Sequence, residues 1–402
     1  MGIEKNKKRV TPIPFLVDNM FYIIMVFMLV KTILLINKVP LEFDGSFNLQ
    51  IPLNIVNGFG YRTFTGTFRQ FNYQITTGFP VLLPVAAVFK LFGIGVIQFR
   101  VVTIFFYFAL VYMLFIISKE ISNKWIALIS PVLFFLITDP TRTTVNAYQL
   151  IGEIPALFFL LLGFFFIHQF LMKQKNSILF SLLAGFSISF AYFSKSLFIF
   201  VVPSILVIFF YVVFFKKQKR YILSLMIILT IIILSNFLWN RYIMHVIGDK
   251  YAEYDFWRNN FLIYGGSGIT EDGFVFSLAS LNDKLQAIYE NLGLRLRWIC
   301  LFILGITGTL LLRLYNNKIS YLETLLAIFA AIYLFWWFGI ANNIDIRHFL
   351  PAVISVFPLF SSVIVLIYDL FKPKFQLLVN YFLSSISILC VLYIFIFQRI
   401  PQ

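Results

Sequence analysis

The chain has 402 residues, of which 60% are hydrophobic and only 12% are charged, whereas soluble domains carry roughly a quarter charged residues. That composition excludes a soluble globular protein and implies an all-α, polytopic membrane protein. The net charge of +15 does not signal nucleic acid, because Lys and Arg cluster between apolar runs, where membrane topology and anionic lipid headgroups account for them.

The basic N-terminus, Met1 to Arg9, precedes an apolar run from Phe15 to Ile36. The run is too long for a signal peptide and no small-residue cleavage site follows it, so it reads as a retained first span. Further apolar runs predict spans near 96–118, 124–139, 150–171, 177–194, 196–215, 221–239, 298–312, 320–340, 349–368 and 377–397, about eleven helices with the first. Alternate short loops are basic: Glu4–Arg9, Ser118–Lys124, Lys173–Asn176, Lys216–Arg220, Arg313–Lys318 and Phe371–Lys374. This positive-inside alternation puts the N-terminus in the cytoplasm and the C-terminus outside. The long loops, about 38–95 and 240–297, then face outward with Asp139–Gln149 and Ala341–His348, and the chemistry is expected there.

Within the first external loop, Leu49 to Phe59 fits an amphipathic surface helix. Phe79 to Gly93 is apolar but short and holds Pro80 and Pro84, which suits a re-entrant or interfacial helix. Thr63 to Thr77 is rich in Thr, Gln and Asn, side chains able to bond sugars or backbone. In the second long loop, Tyr251 to Arg258 reads as an interfacial segment, and Gly265-Gly266-Ser267-Gly268 as a flexible turn without the lysine of a phosphate loop. No fixed-period repeat or low-complexity tail interrupts the chain, so residues 1–402 are expected to form one integral membrane domain.

Several polar residues stand at predicted external helix ends. Glu42 and Asp44, in Glu42-Phe43-Asp44-Gly45-Ser46-Phe47, follow the first span. A carboxylate at a partly dehydrated membrane lip can acquire the raised pKa that suits a general base. Helix capping is the competing explanation, since Asp-Gly-Ser before an apolar stretch is good N-cap chemistry. Glu153 opens the fourth span, where a helix N-terminus favours a carboxylate, and Arg142 is a candidate partner for it or for a phosphate. Lys195 interrupts two apolar runs against the charge bias, which fits either phosphate binding or snorkelling to a headgroup. Arg347 can hold a phosphate bidentately, with His348 beside it. Cys300 and Cys390 fall inside apolar runs and read as buried small hydrophobes, and no His-based zinc spacing is present.

Taken in order, these pieces resemble the GT-C superfamily of membrane glycosyltransferases. The likeness is to the branch of bacterial aminoarabinose transferases, protein O-mannosyltransferases and related lipopolysaccharide sugar transferases. The matching segments are Glu42 to Phe47, Thr77 to Pro84 running on to Gly93, Arg100, Gly152 to Phe159, Phe193-Ser194-Lys195, and Arg347 to Pro351. The resemblance implies inverting transfer of a sugar from a polyprenyl-phosphate donor to a lipid, glycan or protein acceptor on the external face of the cell membrane. By it Asp44 is the base, Glu42 or Glu153 positions sugar or acceptor, and Lys195 and Arg347 neutralise the departing phosphate. No cofactor is then required, although Glu42, Asp44 and Glu153 leave a divalent-ion site open. The chain departs from the family pattern in Phe79-Pro80-Val81-Leu82, where Pro-Pro-Leu-Tyr is usual, and in Arg347-His348, where Arg-Tyr is usual. It is also expected to lack the larger soluble C-terminal domain of many relatives. Two other functions compete: a lipid-linked-saccharide transporter or flippase, which would use broken helices near the midplane, and an O-antigen polymerase-like enzyme with arginines in two large external loops.

Overall fold

A computed structural model describes residues 19–63, 69–138, 146–173, 177–263, 282–286, 320–341, 348–368 and 373–397. The first helices are α1 (Met20–Leu35), α2 (Phe43–Val56), α3 (Phe79–Phe92), α4 (Val96–Ile121) and α5 (Ile129–Ile137). Then come α6 (Glu153–Lys173), α7 (Ser177–Ser194), α8 (Val201–Phe210), α9 (Ile222–Ile247) and α10 (Tyr251–Ile263). The remainder are α11 (Tyr321–Gly339), α12 (Leu350–Ser355), α13 (Phe357–Tyr368) and α14 (Pro373–Phe397). Among the described residues the one ladder is a short antiparallel pair, β1 (Arg62–Thr63) with β2 (Arg69–Gln70). Among the described residues six helical stretches are long and apolar enough to cross a membrane, and five shorter apolar helices accompany them. The molecule is an all-α polytopic membrane protein.

The expected spans map onto these helices, except that 298–312 lies outside the described residues, as do the glycine turn at 265–268 and Cys300. Four elements differ from the sequence reading in ways that bear on the site or the bundle. The surface helix expected at Leu49 begins six residues earlier, at Phe43, and ends before Gly58, whose φ is 82°. The span expected to stop at Trp239 continues to Ile247, where Gly248 takes φ 64° and ends it. The span over 349–368 is two helices, because Pro358 has no N–H to donate to Ile354. The span over 196–215 opens with a 3-10 turn, Ser196–Phe200, and closes with a π turn, Tyr211–Phe215. Cys390, expected to be buried, is half-buried.

Helix α6 is the axis of the bundle. Its Leu157, Leu160, Leu161, Phe164, Ile167 and Phe170 are fully buried. A helix apolar on every side finds its place inside the protein. It packs against α4, α7 and α11, with Phe159 on Phe190 at 5.3 Å and Phe166 on Phe180 at 5.8 Å. By contrast α9 leaves Ile233, Leu234, Phe237 and Leu238 exposed, a surface suited to hydrocarbon.

At one end of the bundle basic residues rest on aromatic faces. Lys124 lies 4.9 Å from the Trp125 ring, Lys216 5.6 Å from Tyr211 and Arg220 4.8 Å from Tyr221. These belong to loops that the charge alternation assigns to one side. The segments near residues 40, 77, 149 and 195, which the alternation assigns to the other side, meet one another at the opposite end.

Candidate active site

The opposite end is built from four segments that meet. The chain leaving α1 is fixed first. Arg100, on the first turn of α4 and 1% exposed, donates from Nη1 to Ile36 O and from Nη2 to Val39 O, the latter at 2.6 Å. Gln149 then clamps the approach to α2: its Nε2 donates to Pro40 O at 2.9 Å, and its Oε1 accepts from Glu42 N at 3.1 Å. Glu42 is thereby the N-cap residue of α2, without a side-chain cap bond, and Asp44 stands half-buried in the first turn.

One turn further along α2, Asn48 is buried and donates from Nδ2 to Leu150 O at 2.6 Å and to Thr77 Oγ1 at 3.1 Å. Thr77 pairs with Lys195 through an isolated antiparallel bridge, and Gly78 N donates to Ser194 O at 3.3 Å. Two glycines make this approach feasible. A Cβ on Gly78 would lie 1.8 Å from Phe193 O, and one on Gly152 would lie 2.0 Å from Ser194 O. The first turn of α2, the N-terminus of α3, the segment entering α6 and the end of α7 are thus tied in one knot.

At its centre Lys195 Nζ stands 2.8 Å from Glu153 Oε1. Lys195 is 6% exposed and Glu153 1% exposed. This decides between the two sequence readings of Lys195's surroundings. Lys195 does not snorkel to the surface, because its partner is the buried carboxylate at the head of α6. Glu153 has Lys195 as its counter-ion; Arg142, the partner the sequence suggested, lies outside the described residues. The two charges stabilise each other only while both are present: removing one partner of a buried pair costs about 3–5 kcal/mol.

Arg347 also lies outside the described residues. His348, buried, opens the segment into α12, and the next residue, Phe349, packs on Trp337 at 5.2 Å. Trp337 is on the last turn of α11, one turn beyond Tyr333. That same helix end is capped by Lys284, which is 1% exposed. Lys284 Nζ donates to Trp337 O at 2.7 Å, to Phe338 O at 3.2 Å and to Ala341 O, and burial pulls its pKa below the usual lysine range. A cation against the last carbonyls of a helix is a favourable use of its dipole.

A groove of about 620 Å³ opens beside the knot. Its walls include Tyr192 and Ile199, which bracket Lys195 in the chain, with Ile232 and Phe237 of α9. Asn240 and Arg241 lie at the α9 end. Above it, Tyr61 stacks on Phe71 at 4.8 Å, Phe71 meets Trp239 at 5.9 Å, and Tyr73 stacks on Trp257 of α10 at 6.2 Å. Burial pushes the Tyr61 hydroxyl well above the usual tyrosine range, so it stays protonated at neutral pH. In the described part of the polar 63–77 stretch, Asn72 donates to Thr63 Oγ1 and accepts from Gln74 N, and Thr77 receives Asn48.

Among the described residues no three His, Cys, Asp or Glu side chains group closely enough to hold a metal ion. One oxygen of the Glu153 carboxylate is turned to Lys195. The sequence marked Thr77 as part of the polar 63–77 stretch, but not Asn48, Gln149 or Lys284. Asn48 directly follows the Glu42–Phe47 segment that carries the resemblance; Gln149 and Lys284 had no signal beyond lying in predicted external loops.

No protein-family model matches the sequence, and no curated protein matches it significantly. Solved structures do. ArnT, an aminoarabinose transferase from Cupriavidus metallidurans, superposes in its apo state with a TM-score of 0.60 at 13% identity, over 88% of this chain and 60% of that one. Bound to undecaprenyl phosphate, the same protein gives 0.59 at 12% identity, over 94% and 70%. The oligosaccharyltransferase of Archaeoglobus fulgidus, in complex with Zn and sulfate, gives 0.53 at 13% identity, over 94% and 52%. The chain thus spans 60% of the length of the first of these neighbours and about half of the last. At these identities the likeness is one of fold.

Proposed function

From a chain that carries the GT-C fold, we propose an inverting glycosyltransferase that moves a sugar from a polyprenyl-phosphate donor to an acceptor hydroxyl on the external face of the cell membrane. The observation that carries this reading is the knot in which the segment bearing Asp44 is fastened to the Glu153–Lys195 pair. It brings a half-buried carboxylate and a buried cation to one end of a membrane bundle, where transfer chemistry needs a base and a phosphate clamp.

In this reading the acceptor hydroxyl attacks the anomeric carbon from the face opposite the phosphate. Asp44 takes the hydroxyl proton as the new C–O bond forms. The bond from the anomeric carbon to the phosphate oxygen breaks, and the oxygen keeps the electron pair. Lys195 and Arg347 neutralise the charge developing on the leaving phosphate, in a site where fixed cations act at low dielectric. Glu42, Arg142 and His348 orient donor and acceptor. The apolar groove beside Lys195 suits an isoprenoid chain, with its polar end at Asn240 and Arg241. The neighbour solved with undecaprenyl phosphate supports that class of donor. No step is routed through a metal.

The test is transfer from a labelled polyprenyl-phosphate sugar in membranes holding the full chain. Asp44→Asn is expected to lower transfer by about 10²- to 10⁴-fold at normal expression, the usual worth of a general base. Undiminished transfer removes Asp44 from the mechanism. Movement of the labelled lipid across sealed vesicles without product would instead make the protein a transporter.

A further inference from the structure

The Glu153–Lys195 pair raises a problem for any role of Lys195 toward phosphate. The ammonium is already engaged with Glu153 Oε1 at 2.8 Å. If it turned to a phosphate, a carboxylate that is 1% exposed would be stranded. A second donor for that carboxylate has to exist.

Tyr333 of α11 is such a donor. It is fully buried, and its hydroxyl has no hydrogen-bond partner among the described residues. A buried tyrosine hydroxyl ordinarily finds one. Glu153 is close enough to act electrostatically on Tyr333, yet the two are not bonded. The Tyr333 ring is held edge-on by Phe198 and Phe200, each with its centroid 6.0 Å away. Both belong to the 3-10 turn that starts immediately after Lys195. Glu153 Oε2 and Ser194 Oγ likewise lack hydrogen-bond partners among the described residues. Three buried polar atoms with unused capacity, around an ion pair already formed, fit an arrangement that has a second state.

We propose that Glu153, Lys195 and Tyr333 form a two-position switch, in which Tyr333 receives the Glu153 carboxylate when Lys195 leaves it for the donor phosphate. Tyr333 is a positioning residue: it touches neither sugar nor phosphate, and it acts through the lysine it releases. The inference rests on the phosphate-binding role of Lys195 given above.

The experiment measures binding of undecaprenyl phosphate without sugar to the purified full chain, together with the melting temperature of the lipid-free protein. Tyr333→Phe is expected to weaken lipid affinity about tenfold, the scale of one hydrogen bond to a charged group. The lipid-free melting temperature should not fall, because the hydroxyl is unbonded in that state. In a Glu153→Gln background the same change should have no further effect on affinity. Wild-type affinity in Tyr333→Phe overturns the switch, and so does a fall in melting temperature that accompanies the loss. The underlying reading has its own control in Glu153→Gln/Lys195→Met, which leaves no buried charge unpaired. If that double variant folds and binds the lipid as wild type does, the phosphate role of Lys195 fails. If it loses binding while Tyr333→Phe keeps it, the switch alone fails.

Discussion

A buried ion pair is a costly way to join two helices, and its presence at Glu153 and Lys195 says more about specificity than about stability. Two well-packed apolar residues there would be neutral or stabilising, whereas one charge without the other is heavily penalised. Lys195→Met alone is therefore expected to lower stability by about 3–5 kcal/mol, seen as a fall in melting temperature in detergent. Glu153→Leu/Lys195→Met should recover most of that loss. If the double variant melts as low as the single one, the pair does not carry the interaction described. Lys284 belongs to the same scale. It is a buried cation satisfied by three carbonyls at the end of α11, and its position in a long loop gave no hint of that contact.

At the scale of elements, α2 and α3 matter because they bring loop residues to the bundle without crossing it. Helix α3 is short, takes Pro80 within its first turn, and keeps Pro84 inside. A proline there lacks only an N–H that the first turn leaves unpaired anyway. The N-terminus of α3 touches the end of α7 so closely that no side chain fits. Gly78→Ala and Gly152→Ala would each drive a Cβ into a backbone carbonyl, at 1.8 and 2.0 Å respectively. Backbone cannot yield as a side-chain tip can. Each substitution is expected to cost at least the roughly 1–3 kcal/mol of ordinary overpacking and to separate the α7 end from its neighbour. Reduced folded yield or melting temperature, with transfer lost in parallel, is the outcome to look for. A fully active, equally stable Gly152→Ala protein would contradict the close approach.

For the whole molecule the strongest internal check is topological. Counting Lys and Arg in short loops sorts the helix ends into two sets, and the segments of one set near residues 40, 77, 149 and 195 meet one another at one end of the bundle. The sidedness that goes with it, cytoplasmic for the basic end, can be read by labelling. With native cysteines removed, Lys219→Cys and Asp249→Cys flank α9, one before its start and one after its end. In sealed, oriented vesicles an impermeant thiol reagent should reach Lys219→Cys only from the cytoplasmic side and Asp249→Cys only from the other. Labelling of both from one side would undo the alternation. By itself the sequence determined the class of the protein and the places of most spans, because hydrocarbon allows only helices of sufficient apolar length, while its loop charges give a sidedness for the labelling to test. It also pointed to Glu153 and Lys195 as residues worth notice, since a charge beside an apolar run is conspicuous. Their pairing was decided only by the tertiary structure, as were the clamp by Gln149, the two hydrogen bonds of Asn48 and a Tyr333 hydroxyl without a partner among the described residues. Hydropathy marks such residues only as polar members of a loop or helix end and does not single them out. Which of them face one another depends on how helices far apart in the chain pack, and one-dimensional spacing does not encode that contact.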